Sequence, residues 1–397
     1  MGLGLNGGGL ASARFLAERG ALVTVTDLKD EGALADSIAA LAGLPIRYVL
    51  GRHEMADFES ADLVVKNPAV RPDSPYLLAA KAVETDLSLF LRLTKAPIVA
   101  VTGSKGKSTV SSAVYRGLAA AGGRAFLGGN IAVSPLGFLA ETGPATPVVL
   151  ELSSWQLADL RGLGVLKPRV AIVTSIMPDH MNRYSSMEEY VADKRLIYAD
   201  QGPDSFTVCN RDDPWGRSFA AQTKGAVRWY CDRDEGLPGA WLAGAGQGGR
   251  GRPRGYFRAA TGAEAEWILG EDLLVPGAHQ RKNLLAAALG LRLLGIEAPA
   301  VREAMSSFPG VEHRLEFFLE RGGVRWYNDS AATIPQAVSA ALGSFEEPVV
   351  LITGGSDKNL DFEALRADLR RARAIVLLAG SGTEKLVPLL DDERLPY

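Results

Sequence analysis

A chain of 397 residues, 47% of them hydrophobic, exceeds one ordinary domain and is apolar enough to fill two or three cores. Its 43 basic and 46 acidic side chains leave a net charge of −3 with the signs mixed, so no overall attraction to nucleic acid is expected and any phosphate binding must be local. Two cysteines, Cys209 and Cys231, lack metal-ligand spacing and read as reduced, buried thiols; with no apolar run near the ~20 residues that span a bilayer and no signal-like start, a cytoplasmic location away from membranes is expected.

The glycine-rich start, Gly2-Leu3-Gly4-Leu5-Asn6-Gly7, leads into a helical stretch at 11–19 and a β-type run at 21–27 that ends in Asp27. A G-x-G-x-x-G segment normally follows a strand and lets phosphate approach the backbone at a helix N-terminus. Here only Met1 precedes it, so either the first strand is lost by truncation or another segment fills its slot. Asp27 stands where a ribose contact of a dinucleotide enzyme would, and is also a candidate contact for another nucleotide-linked substrate. Short strands at 46–50 and 63–66 and helical patterns at 76–82 and 87–93 complete a first unit, residues 1–94, before the break at Lys95-Ala96-Pro97.

A second unit, residues 95–309, opens with the buried-strand pattern 98–102, which runs into Gly103-Ser104-Lys105-Gly106-Lys107-Ser108-Thr109 and a helix at 110–121. Further strands are expected at 148–152, 170–175 and 205–210, a Gly/Arg-rich surface hairpin or loop at 244–255, and a helix at 283–294. Beyond Phe308-Pro309-Gly310, strands at 324–329, 349–354 and 374–379 alternate with helices in a third unit, residues 310–397, which reads as cut short. The alternation predicts an α/β fold of three domains, each a mostly parallel Rossmann-like or P-loop-type sheet flanked by helices.

Strand, glycine loop and helix are in the order that cradles phosphate: loop N–H groups face the anion, Lys107 adds a point charge and Ser108 can place its hydroxyl on Mg²⁺. Val101 stands where the common P-loop has its first glycine. Glu151, at a strand end, is suited to a metal near that loop, and equally to a solvated acid or a helix cap. A neutral His180 suits Mn²⁺ and accepts Mg²⁺ beside carboxylates, or serves as a hydrogen-bonded residue. Lys194 taken alone is a helix lysine, and Asn130 in Gly128-Gly129-Asn130-Ile131 is compatible with a plain turn.

The shortened loop T-G-x-x-G-K-[ST]-T is similar to that of the Mur ligases and the folylpolyglutamate synthases. Glu151-Leu152-Ser153-Ser154-Trp155-Gln156-Leu157 and Asp179-His180-Met181-Asn182-Arg183-Tyr184 resemble the Mur ligase family, and the former its glutamate-adding branch. The resemblance spans the chain and implies ATP and two Mg²⁺ ions, with Mn²⁺ as a substitute. Ser108, Glu151, His180 and a carbamylated Lys194 would be the metal ligands, and Lys107 the charge stabiliser. It further implies that Asn283 meets adenine, Arg314 of His313-Arg314-Leu315-Glu316 an ATP phosphate, and Asp329 of Asn328-Asp329-Ser330 the ribose. Asn130 would touch a UDP-muramoyl substrate and Lys358 of Gly354-Gly355-Ser356-Asp357-Lys358 an incoming glutamate. The implied reaction joins D-glutamate to UDP-N-acetylmuramoyl-L-alanine through an acyl phosphate, on a monomer. Departures are Gln280 in G-x-H-N-x-x-N, Ala331 where a lysine is usual, and no S-P-A-x-x-S-F-D segment. A folylpolyglutamate synthase-like ligase and an inactive nucleotide-binding relative remain the alternatives.

Overall fold

The computed structural model describes residues 1–4, 7–131, 133–179, 184–244, 252–357 and 360–397. In the first unit β1 (Val23–Asp27) pairs in parallel with β2 (Ile46–Leu50), and β3 (Val64–Val65) with β4 (Val83–Glu84). Met1 and Gly2 bridge the two pairs: Gly2 N donates to Thr26 O at 2.8 Å, the Met1 amine to Val65 O at 2.8 Å, and Asn67 N to Met1 O at 3.0 Å. Thr26 O on one side of the central slot and Val65 O and Asn67 N on the other are thereby satisfied by Met1 and by Gly2, which opens the glycine segment. Burial lowers the pKa of the Met1 amine to about 6, against an upward pull from Asp27.

The second unit is built on β5 (Ile98–Thr102), β6 (Phe126–Gly129), β7 (Val148–Glu151), β8 (Val170–Val173), β9 (Phe206–Asn210), β10 (Ala226–Cys231), β11 (Gly239–Ala243), β12 (Arg254–Arg258) and β13 (Glu266–Leu269). Among the described residues these form a 9-stranded sheet in the order β13-β12-β11-β10-β9-β8-β5-β7-β6. All pairings from β6 to β11 are parallel, and β12 and β13 add on antiparallel. Of the segment expected as a surface hairpin or loop, 244–255, the last two residues, Arg254 and buried Gly255, open β12; residues 245–251 lie outside the described chain.

Every position of β5, β7 and β8 is buried, and successive side chains enter different cores. Val99, Val101, Val149 and Ile172 pack with Val110, Val114, Leu284 and Leu291 of the helices Lys107–Ala120 and Ala278–Leu293. Ile98, Ala100, Leu150 and Val173 pack on the opposite face with Phe90, Leu157, Tyr190 and Ile197. A strand's period of two, with helices on both faces, explains these uninterrupted apolar runs.

The third unit holds the antiparallel pair β14 (Glu316–Arg321) and β15 (Val324–Asn328) and the parallel pair β16 (Val349–Gly354) and β17 (Ala372–Leu378). Ile375 packs with Leu365, Leu369, Leu386 and Leu390, while Val350, Ile352, Val376 and Leu378 are about half exposed. The helix expected from 283 begins at Ala278, immediately after Gly277 at φ 93°. Its polar first turn hides the apolar period, because buried Arg281 is satisfied by the carbonyls of Pro253 and Gly270, both at 2.7 Å.

Candidate active site at the phosphate loop

The end of β5 is fixed from both neighbouring strands. Thr102 Oγ1 donates to Leu152 O at 2.8 Å, and Thr174 Oγ1 to Lys105 O at 2.7 Å. Ser104 N donates to Ser175 O at 2.8 Å, closing the loop against the continuation of β8. Gly103 has φ 150°, and a Cβ there would sit 1.8 Å from Thr174 Oγ1. Gly106 has φ 92°, and a Cβ there would meet Asn283 Oδ1 at 2.4 Å, so the Asn283 side chain lies directly over the loop. The helix Lys107–Ala120 then starts with no side-chain cap and no acid in its first turn, leaving an N-terminus suited to an anion. Ser108 and Thr109 sit half-buried on that turn, and Lys105 is exposed with its Nζ 3.7 Å from Asp179.

Two lysines converge on one carbonyl. Lys107 Nζ donates to Gly103 O at 3.0 Å and Ser104 O at 3.1 Å; Lys194 Nζ, from the helix Met187–Ala199, donates to Gly103 O at 2.8 Å. Burial lowers the pKa of Lys107, opposed by Glu151 and Asp179 and reinforced by Lys105 and Arg314. Burial first, and then the Lys107 charge, brings Lys194 down to about 7 against the pull of Asp179 and Asp193.

Glu151 ends β7 and is 2% exposed. Its Oε1 accepts from Asn130 Nδ2 at 2.9 Å, and Asn130 N donates to Glu151 O at 2.8 Å. Oε2 is buried without a hydrogen-bond partner among the described residues. An orphaned carboxylate oxygen beside a serine-bearing helix start fits a hard, oxygen-preferring cation such as Mg²⁺. Among the described residues no group of three or more His, Cys, Asp or Glu could hold a metal; His180 lies outside them.

The third unit brings its own motifs together. Asp329 Oδ1 accepts from Leu315 N at 2.9 Å, Asn328 Nδ2 lies 2.9 Å from His313 Nδ1, and Ala331 N donates to His313 O at 2.9 Å. His313 at φ 63° and Leu315 at φ 44° flank exposed Arg314, a left-handed backbone that non-glycine residues rarely hold. Arg314 is near enough for its charge to act on Lys107. Burial raises the pKa of Asp329, against the Leu315 hydrogen bond and Arg314. Lys358 lies outside the described residues, but Asp357 N beside it donates to Ser381 Oγ at 3.0 Å. Asp27 stays within the first unit, its two oxygens accepting from Gly4 N at 3.1 Å and Lys29 N at 3.0 Å.

Sequence reasoning missed Tyr190 and Thr174. The Tyr190 ring lies 4.5 Å from Lys194 Nζ, and its hydroxyl 3.1 Å from Ser104 Oγ, so it joins the two lysine-bearing segments. The pair Tyr190 and Lys194, one helical turn apart, was the only available signal.

Glycine loop, lysine-bearing helix start, buried carboxylate and second lysine form a P-loop-type arrangement at the strand ends of an α/β sheet. The chain belongs to the Mur ligase family of ATP-dependent, amide-forming ligases. A model of the Mur ligase middle domain matches residues 101–290, and one of the Mur ligase MurD-like N-terminal domain matches residues 1–87. The UDP-N-acetylmuramoylalanine–D-glutamate ligase of Treponema pallidum (strain Nichols) is 43% identical over 469 residues, covering 100% of this chain and 87% of its own length. That of Roseiflexus sp. (strain RS-1) is 41% identical, covering 97% and 84% respectively. Among solved structures, the UDP-N-acetylmuramate-alanine ligase of Thermotoga maritima shares the fold, with TM-score 0.61 and 21% identity over 100% of this chain and 88% of its own.

Proposed function

We propose that this chain joins the amine of D-glutamate to the terminal carboxylate of UDP-N-acetylmuramoyl-L-alanine, converting ATP to ADP and phosphate, in peptidoglycan precursor synthesis. The observation that carries the reading is the meeting of Lys107 and Lys194 at Gly103 O beside buried Glu151, in a chain similar along its whole length to ligases of that name.

The carboxylate of the acceptor attacks the γ-phosphorus, the bond to the bridging oxygen of ADP breaks, and an acyl phosphate results. The glutamate amine adds to that carbonyl, loses a proton, and the tetrahedral species expels phosphate to leave the amide. Lys107 is tethered by the loop carbonyls and needs only side-chain rotation to follow the charge moving onto the phosphoryl oxygens. Ser108, Glu151, His180 and a carbamylated Lys194 would hold Mg²⁺, or Mn²⁺, which supplies neutralisation of phosphate charge when bound. A pKa of about 7 leaves Lys194 partly as the neutral amine, whose nitrogen would bond to the carbon of CO₂ with release of one proton, giving an anionic carbamate ligand.

Gly103, Ser104, Lys105, Gly106 and Thr109 would frame the phosphates, with Asn283, Arg314 and Asp329 at adenine, phosphate and ribose. Asn130 and Asp27 would serve the UDP substrate and Lys358 the glutamate carboxylate. We assign these roles to units bounded at 1–94, 95–309 and 310–397, working as a cytoplasmic monomer on small molecules alone. Among the described residues no helix is long and apolar enough to cross a membrane.

The test is phosphate release from ATP with each substrate omitted in turn. Release that needs the UDP-linked acceptor and D-glutamate, and fails with L-glutamate, is expected. Release with a pteroyl acceptor instead, or nucleotide binding with no release, would overturn the reading.

A further inference from the structure

Lys66, at the end of β3, is 6% exposed, and its Nζ donates to Val70 O at 3.1 Å and Asp159 Oδ2 at 2.7 Å. The two partners are 93 positions apart, one in the first unit and one in the second. Their side chains are 5% and 11% exposed, so both charges have left water, unlike the surface ion pairs elsewhere in the chain.

Asp159 closes the helix Ser154–Asp159, which begins three residues after Glu151, the last residue of β7. Ser153 and Gln156 form a reciprocal cap at its start. An acid at a helix C-terminus opposes the helix dipole, and the buried ion pair with Lys66 offsets that cost. Next to Lys66, Asn67 packs on the glycine segment: a Cβ on Gly2 would sit 2.9 Å from Asn67 Cβ, and one on Gly4 3.2 Å from Asn67 Nδ2. Beyond Asp159, Arg161 pairs with Asp193, whose other oxygen accepts from Tyr184 OH at 2.8 Å and which precedes Lys194. Arg161 is more than half exposed and this second link is the weaker one.

We propose that Lys66 and Asp159 are positioning residues: a buried ionic strut that sets the glycine segment of the first unit against the strand end carrying Glu151, and so aligns the nucleotide-linked acceptor with the phosphate loop. The proposal rests on the functional reading above for its substrate. Lys66 and Asp159 both lie outside the phosphate loop 103–109, so the strut governs acceptor alignment and leaves nucleotide binding alone.

The experiment compares the parent chain with Asp159→Asn, Lys66→Arg and the double variant Lys66→Met with Asp159→Leu. Asp159→Asn is expected to lower kcat/KM for the UDP-linked acceptor about 10–100-fold. ADP binding should stay within about twofold of the parent. Lys66→Arg, which keeps a cation and donors, should retain most of the parent's kcat/KM for the acceptor. The double variant removes both buried charges, so its thermal stability should return towards the parent while its acceptor kcat/KM stays low. A double variant with parental acceptor kinetics would make the pair merely structural and overturn the proposal. So would a folded Asp159→Asn with parental kinetics. If the parent itself releases no phosphate, the functional reading fails separately, and the strut is judged by tryptic cleavage after Lys95 between the units. Faster cleavage of Asp159→Asn supports it, and equal rates overturn it.

Discussion

Strand β5 is buried at all five positions and divides its side chains between two cores, whereas along β16 exposed positions alternate with partly covered ones. Both strands end in a glycine loop, yet the two loops are held differently. The one after β5 is clamped by Thr174 and Ser175 from one segment and Asn283 from another, while Gly354 and Gly355 lean on β17 and the start of the helix Ser381–Asp392. The difference teaches where precision is built in. Phosphate transfer depends on a preset backbone cradle, and that cradle sits where two packed faces leave the strand no freedom.

Replacing Leu150, fully buried in β7 beside β5, by alanine should break the favoured side of this contrast, destabilising the chain by about 2–5 kcal/mol in denaturant unfolding. Lys107→Ala should leave the fold intact and lower the rate of acceptor-dependent phosphate release by roughly 10²–10³-fold. Asn130→Ala removes the donor that orients Glu151 Oε1; a loss of about 10–100-fold in Mg²⁺ affinity, read from activation curves, is expected. At the other end of the scale, Val350→Ala on the half-exposed face of β16 should change stability by no more than about 0.5 kcal/mol. A large effect at Val350 would mean that the exposed face is in fact engaged. A small one at Leu150 would mean that the central sheet tolerates voids.

The same contrast explains what could be read in advance. β5, β7, β8 and β16 are legible as apolar runs, and Lys107 and Glu151 as motif residues at a helix start and a strand end, because these signals are local. Strand β12 was hidden by Gly and Arg content, and the first turn of the helix from Ala278 by a buried arginine whose partners lie in other segments. The bridging by Met1 and Gly2 between β1 and β3 follows from backbone groups, which carry no side-chain signature. Tyr190, Thr174, Lys66 and Asp159 could not be singled out, since each acquires its meaning only from a partner distant in sequence.

The central claim is that ATP activates the acceptor carboxylate before the amine attacks. We would label that carboxylate of the UDP-linked acceptor with heavy oxygen and follow the label through one turnover with D-glutamate. One labelled oxygen should appear in the released inorganic phosphate. Unlabelled phosphate, with both heavy oxygens retained in the uncoupled acceptor or absent from the phosphate formed with product, would contradict the account.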